Sequence, residues 1–510
     1  MTQAIPEYQK LRWRLALVAL LLLTTEGKGV AQVIPDATLG GERSTINSVS
    51  IVSDRIDGGA RRGLNLFHSF SQFDIQAGHQ VYFNNPAGVT SIFSRVTGSQ
   101  PSNINGILGV SGNANLFFIN PNGITFGPNA ELQLGGSFIA STANSFVFPN
   151  GGQFSATNPT VPQLLAVDIQ APIGLQFEGP GNPIHIKKAS LILEADKTLA
   201  LIGGPIRMEG GLLQTEGGRI ELGSTNEKGT VQIDENLGNF SINFPSGLKR
   251  EDILLSDNAV INIRSGGDGS ISVHANNLTL NQTSKLIAGL RNVPTSVGKA
   301  GDIVVNLQGN LVIDNNSAIA NDLLDNIQQQ SPSLINRAGD IYITAQNLSL
   351  SNESRISSGT FGKGSAGNLS LDIKNSINID KAYILSTVHS GAIGDSGNIK
   401  ISTNLLNVLG SSELHSLISS GVEGEGKAGD IVINSISKIN INESEIISTL
   451  NRGAVGKGGN ILINTNELQI SNQGLISTST TGQGDAGNIT INAHEKMNFS
   501  GKRTYILSSV

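Results

Sequence analysis

Gly459-Asn460-Ile461-Leu462-Ile463-Asn464 opens a segment that continues through Leu468, Ile470 and Leu475-Ile476. Asn466 and Ser471-Asn472-Gln473-Gly474 lie between these apolar stretches. Ile461 and Ile463 fall on one face of a two-residue period, which is the pattern of a strand and not of a helix. The interruptions are turn-forming residues. Three short strands in roughly 30 residues, separated by polar corners, describe one coil of a parallel β-helix.

The opening signature recurs towards the amino terminus. It reads Gly269-Ser270-Ile271, Gly301-Asp302-Ile303, Gly339-Asp340-Ile341, Gly367-Asn368-Leu369, Gly397-Asn398-Ile399 and Gly429-Asp430-Ile431, and it returns once more at Gly487-Asn488-Ile489. The glycines are 32, 38, 28, 30, 32, 30 and 28 residues apart, a near-constant period that marks a solenoid. A strand of this kind cannot bury its apolar face alone, but stacked coils align equivalent positions ~4.8 Å apart. Ile then stacks on Ile, Asn or Asp forms ladders at the corners, and Gly is expected to supply a corner conformation that a side chain resists. The Leu-Asn spacing of leucine-rich repeats is absent, and the alternation excludes helical repeats.

The expected fold class is therefore all-β, a right-handed parallel β-helix. At ~25 residues per coil it would approach ~90 Å in length. Thr504-Tyr505-Ile506-Leu507-Ser508-Ser509-Val510 matches the late strand of earlier units, such as Ile356-Ser357-Ser358 and Ile418-Ser419-Ser420. The last unit thus reads as incomplete at the carboxy end.

Composition agrees with many short strands and tight turns. Gly contributes 61 of 510 residues, aromatics 5 % and charged residues 15 %. That is too apolar for a disordered chain and too rich in Gly for a helical one. A net charge of −6 gives no electrostatic footprint for nucleic acid. The chain has no cysteine, so no disulfide would hinder threading through a pore.

At the amino terminus Lys10, Arg12 and Arg14 precede the apolar run Leu15–Leu23, and Gly29-Val30-Ala31 forms a small-residue exit. This is the pattern of a secretory signal peptide over residues 1–31, cleaved after Ala31. The run is well short of the ~20 residues a membrane-spanning helix needs, and no transmembrane helix is expected in the mature chain.

Thirteen of the 17 Phe residues lie at or before Phe177. A bulkier core is expected there, with a boundary near 171–177. The expected organisation is a first domain at 32–177, a β-helix continuation at 178–264 and the repeat shaft at 265–510.

Three elements of the first domain carry a resemblance: Arg95-Val96-Thr97-Gly98, Asn105-Gly106-Ile107-Leu108 and Phe118-Ile119-Asn120-Pro121-Asn122-Gly123-Ile124-Thr125-Phe126-Gly127. In order and spacing they resemble the secretion domain of the filamentous-haemagglutinin family of two-partner secretion exoproteins. The opening Ile34-Pro35-Asp36-Ala37-Thr38-Leu39 looks more like that family's large cyanobacterial branch. Asn84-Asn85-Pro86-Ala87-Gly88 is the nearest text to a second, Asn-Pro-Asn-Leu element of some members. The resemblance implies a secretion motif at Asn120, Pro121, Asn122, Gly123 and Ile124, supported by Arg95, Val96, Thr97, Gly98, Asn105 and Gly106. Read from the residues alone, Asn120–Gly123 is a tight turn between two strands. A turn that only shapes the fold and a turn that a partner recognises are both open.

The family relationship further implies a Gram-negative route. The chain would pass through the periplasm and be recognised by a separate outer-membrane β-barrel transporter. It would then fold outside, as a secreted or cell-surface adhesin that meets cell-surface glycans or other cells. The seven histidines show no metal-ligand spacing, and neither a phosphate loop nor a nucleophile elbow occurs. No catalytic, cofactor or metal site is expected. The rival readings are a structural surface-layer or sheath component, and a β-helix polysaccharide-degrading enzyme, which would need clustered carboxylates on one coil face.

Overall fold

The computed structural model describes residues 32–159, 172–236, 238–264, 269–291, 298–324 and 336–510. The signal peptide expected at 1–31 lies outside the described residues. The strands wind as a right-handed parallel β-helix with three faces. On the first face, strands from Asn65–Asp74 to Ile489–Ser500 stack in thirteen successive parallel pairings. At ~4.8 Å per step this is a rise of about 60 Å, shorter than the ~90 Å expected. The repeat units are longer than ~25 residues, and several amino-terminal strands lie off the stack.

Along the first face Ile271, Ile303, Ile341, Leu369, Ile399, Ile431 and Ile461 form one column, each buried beneath the next coil. Alternate residues point outward, as in the strand Ile271–Ala275. From Ile341 onward the first two faces run together as single strands, for instance Ile461–Ser471. The turn expected at Asn466 is a register irregularity inside that strand, between Thr465 and Glu467. A bulge bends the chain there while the ladder on either side stays paired.

The recurrent Gly-Asp and Gly-Asn pairs have a different cause from the one expected. Gly367, Gly397, Gly429 and Gly459 do not have positive φ. They are glycine because coils touch: a Cβ at Gly367 would lie 1.9 Å from the Gly339 carbonyl oxygen. The following Asp or Asn accepts a hydrogen bond from the next coil's backbone. Asn398 N–H donates to Asn368 Oδ1 at 2.9 Å, Asp430 N–H to Asn398 Oδ1 at 2.7 Å, and Asn460 N–H to Asp430 Oδ1 at 2.8 Å. The side chain thereby continues the ladder around a corner where strand pairing has stopped. Left-handed corners elsewhere are held by glycine and by other residues, including Asn352, Glu353, Asn472 and Gln473.

The Ile-Ser-Ser strands end in a buried hydroxyl seam. Ser386 Oγ donates to the Gly367 carbonyl at 3.2 Å and accepts from Gly397 N–H at 2.7 Å. Ser420 repeats the arrangement between Gly397 and Gly429. Beyond the seam Val388, Val422 and Leu450 pack with Ala392, Ala428 and Ala454 in a small second core. The coils therefore carry a side lobe, lined by the strands Glu425–Lys427, Val455–Lys457 and Gln483–Asp485.

In the amino-terminal half an antiparallel sheet covers the first face. It contains Ser145–Val147, Gln153–Ser155, Gly174–Phe177, Gly229–Asn236 and Asn239–Asn243. Between sheet and helix lies a phenylalanine core that includes Phe67, Phe93, Phe117, Phe146, Phe148 and Phe154. First-face strands here are buried on both sides, which explains runs such as Asn115-Leu116-Phe117-Phe118-Ile119. Residue 177 falls inside this sheet, and Phe240 belongs to the same core. The strands Gln32–Pro35 and Ser44–Ser50 pair antiparallel with Asn65–Asp74 and Ser53–Gly58 at the amino-terminal end.

Candidate functional site

The strand Asn115–Ile119 on the first face and Ile124–Phe126 on the second are joined by Asn120-Pro121-Asn122-Gly123. Gly123 N–H donates to the Asn120 carbonyl at 3.1 Å, closing a four-residue turn. Gly123 has φ +120°, which a side chain would resist. Ile124 is buried against the main core.

The asparagine side chains serve different ends. Asn120 is fully buried. Its Nδ2 donates to the Gln100 carbonyl and to Ser102 Oγ, both at 3.0 Å. Its Oδ1 accepts from the backbone N–H and the Nδ2 of Asn122, again at 3.0 Å. Asn122 is half-buried, and its Nδ2 also donates to the Gly98 carbonyl at 2.7 Å. The turn is thus fastened to the corner of the preceding coil. On its other side Asn182 Nδ2 donates to the Pro121 carbonyl at 2.6 Å, and Ile124 N–H to the Pro183 carbonyl at 3.2 Å. Every polar atom of the Asn120 side chain is consumed inside the fold, and only Pro121 and Asn122 offer surface.

The structure brings Arg95–Gly98 against this turn. Val96 is core. Arg95 is 1 % exposed and donates to Ser69 Oγ at 2.9 Å, the Ser155 carbonyl at 2.7 Å and Thr38 Oγ1 at 2.8 Å. Its guanidinium also lies 4.3 Å from the Phe154 ring centroid. One side chain therefore ties together the amino-terminal segment, the first face and the covering sheet. Burial pulls the Arg95 pKa down to about 10, with Asp36 opposing, so it remains a cation at neutral pH. Burial acts to raise the Asp36 carboxyl, but hydrogen bonds from Thr38, Thr97 and Ser69 outweigh it and hold it below its ordinary value. Thr97 Oγ1 donates to Asp36 Oδ2 at 2.6 Å. Gly98 is required by contact, since a Cβ would lie 2.0 Å from the Ser71 carbonyl oxygen.

Asn105 and Gly106 occupy the next corner, at the far end of the strand Ser102–Ile104. Asn105 Oδ1 accepts from Asn129 N–H at 3.0 Å, and a Cβ at Gly106 would lie 2.3 Å from the His79 carbonyl oxygen. They stack coil on coil and do not touch the asparagine turn. Asn84–Gly88 sits on a third corner, between the strands Gln80–Asn84 and Ser91–Val96. Sequence reasoning missed Ser69, Ser155 and Asn182 as members of the site. Ser155 lies 60 residues from Arg95 and Asn182 lies 61 from Pro121, with no local motif to signal the pairing.

Residues 31–273 match the TPS secretion domain family. By structure the chain is similar to the HMW1 secretion domain from Haemophilus influenzae, at 17 % identity and a TM-score of 0.53, over 92 % of this chain and 100 % of that one. It also matches a filamentous hemagglutinin secretion domain at 13 % identity and a TM-score of 0.32, over 76 % of this chain and 99 % of that one. The first of these likenesses is one of fold. No curated protein matches the sequence.

Proposed function

Because the chain is a two-partner secretion exoprotein, with a TPS secretion domain in residues 31–273, we propose that a separate outer-membrane β-barrel transporter recognises this domain and exports the chain from the periplasm. The family match is the observation that carries the reading. The fold suits the route: each coil contacts mainly its neighbours, so a chain emerging in order can add one coil at a time. Folding outside would oppose return through the pore.

We further propose that the product acts as an adhesin-like protein, secreted or held at the surface of a Gram-negative cell, with no catalytic role. Residues 32–177 would make the first contacts with the transporter, 178–264 continue the helix, and 265–510 form the displayed shaft. Within the first segment the recognised surface would include Pro121 and Asn122, which Asn120 and Arg95 hold in place from inside the fold.

The test is a fusion of residues 1–273 to a passive reporter, expressed with and without the transporter. Transporter-dependent appearance of the reporter in the medium supports the proposal. Equal release without the transporter, or unchanged export after deletion of 32–177, would refute it.

A further inference from the structure

The corner between the first and second faces changes its chemistry partway along the helix. Ser102, Ile124, Ile184 and Ile206 stack in register on successive coils. The residues just before them, Pro101, Gly123, Pro183 and Pro205, therefore form one column at that corner. On the following coils the same position holds Asp252, Asn277, Asn310 and Asn347. These polar residues form a ladder. Asn277 N–H donates to Asp252 Oδ1 at 3.0 Å, Asn310 N–H to Asn277 Oδ1 at 2.7 Å, and Asn347 Nδ2 to Asn310 Oδ1 at 2.8 Å. Proline has no backbone N–H and no side-chain acceptor, so the prolines give this ladder up. The change falls between Pro205 and Asp252, inside the matched residues 31–273.

Pro101 is exposed, and Pro183 and Pro205 are half-buried. The asparagine turn lies among them. A Cβ at Gly123 would be 3.6 Å from Pro101 Cβ and 3.2 Å from the Pro183 carbonyl oxygen, and Asn182 Nδ2 ties the Pro121 carbonyl to the Pro183 corner at 2.6 Å. From Pro101 to Pro205 the ridge spans three coil steps, about 14 Å. We propose that this proline ridge, with Pro121 and Asn122 at its centre, is the surface on which the β-barrel transporter docks, through an aromatic-lined groove on its periplasmic side. The assignment rests on the export reading above and adds to it Pro101, Pro183 and Pro205, which lie outside the asparagine turn. Stacking does not call for the prolines, since later coils build the same corner from Asp and Asn. Proline stiffens a corner by lowering the entropy of the unfolded chain, but that gain is open to every coil. What proline adds at the surface is a rigid apolar ring with no donor. Such a ring packs on aromatic side chains with little entropy left to lose.

The test gives the ridge the residue that the shaft uses at this corner. Full-length Pro101→Asn/Pro183→Asn/Pro205→Asn is compared with the intact chain and with Asn310→Ala/Asn347→Ala, which disturbs the same corner outside the matched domain. Export is followed in cells with the transporter present or deleted. Affinity of the purified mature chain for detergent-solubilised transporter is measured at low and near-physiological salt. The triple variant should melt within about 5 °C of the intact chain. It should bind about tenfold or more weakly, with export reduced in step, while the shaft variant binds within about twofold of the intact chain. Pro101→Asn, at the exposed end of the ridge, should alone weaken binding about threefold. Binding of the intact chain should change little with salt, because the contact is apolar. Unchanged binding in the triple variant or in Pro101→Asn, a larger fall in melting point, or binding abolished by salt would overturn the ridge and leave the export reading standing. Export of the intact chain without the transporter would overturn both.

Discussion

Replacing Asn120 with Ala separates a turn that holds the fold from a turn that a partner reads. The substitution removes two donated and two accepted hydrogen bonds. It leaves the Gln100 carbonyl, Ser102 Oγ and Asn122 N–H without their partner in a region where Asn120 itself is fully buried. A typical buried hydrogen bond contributes about 1 kcal/mol net, and an orphaned buried partner costs about 1–3 kcal/mol. Water can reach the half-exposed Asn122 end, so the expected loss is about 3–4 kcal/mol and not the full sum. Asn122→Ala removes the bonds to Gly98 and to Asn120 Oδ1 at the solvent side, and should cost about 1–2 kcal/mol. Hydrogen exchange of the mature chain reads both locally. Amides of Ser91–Val96 and Asn115–Ile119 should lose about two orders of magnitude or more of protection in Asn120→Ala, and about one in Asn122→Ala. If export falls in the same order, the turn acts by shaping the domain. Unchanged protection in Asn120→Ala would refute the reasoning from buried hydrogen bonds.

Other consequences follow from single sites. Arg95→Met breaks three hydrogen bonds donated by a buried guanidinium, and should cost about 3–5 kcal/mol, read as a lowered melting point of the amino-terminal half. Gly426→Ala places a Cβ 1.7 Å from the Gly394 carbonyl oxygen at φ +148°, and should disrupt the side lobe. Gly421→Ala, whose nearest neighbour would be 3.3 Å away, should be nearly silent in the same melting assay. Burial pushes the Glu221 carboxyl up to about 8, outweighing a hydrogen bond from Ser272 and the charge of Arg219. A raised carboxyl pKa contributes stability that is complete below its unfolded value near 4.5 and is lost as pH rises towards 8, at up to about 1.4 kcal/mol per unit. Glu221→Gln should flatten that slope in melting curves taken from pH 5 to 9. An unchanged slope would mean that Glu221 is not the group responsible.

The period of the repeats was legible because each coil solves the same packing problem with the same residue types. Ile461 and its column equivalents announce the inward positions, and Gly-Asn announces the contact between coils. What was not legible depends on neighbours distant in sequence. Gly459 looks like a corner glycine, and only the stacked carbonyl of Gly429 reveals that it is a contact glycine. Asn466 looks like a turn, because a bulge and a turn use the same residue types. The phenylalanine concentration was visible, but a bulky single core and two cores sharing a strand leave the same composition. Phe117 and Phe118 are consecutive, and only a strand buried on both faces hides both. At the candidate site the turn itself could be read from Pro121 and Gly123. The burial of Asn120 could not, since its partners come from the preceding coil, and Arg95 carries no mark of the 60 residues that separate it from Ser155.

The most direct measurement is an immunoblot of medium and cell fractions, with the cognate β-barrel transporter present or deleted, for the intact chain and for the same chain lacking residues 32–273. The account predicts full-length mature protein outside only when both the transporter and the domain are present, with periplasmic loss or degradation otherwise. Release into the medium without the transporter would contradict it.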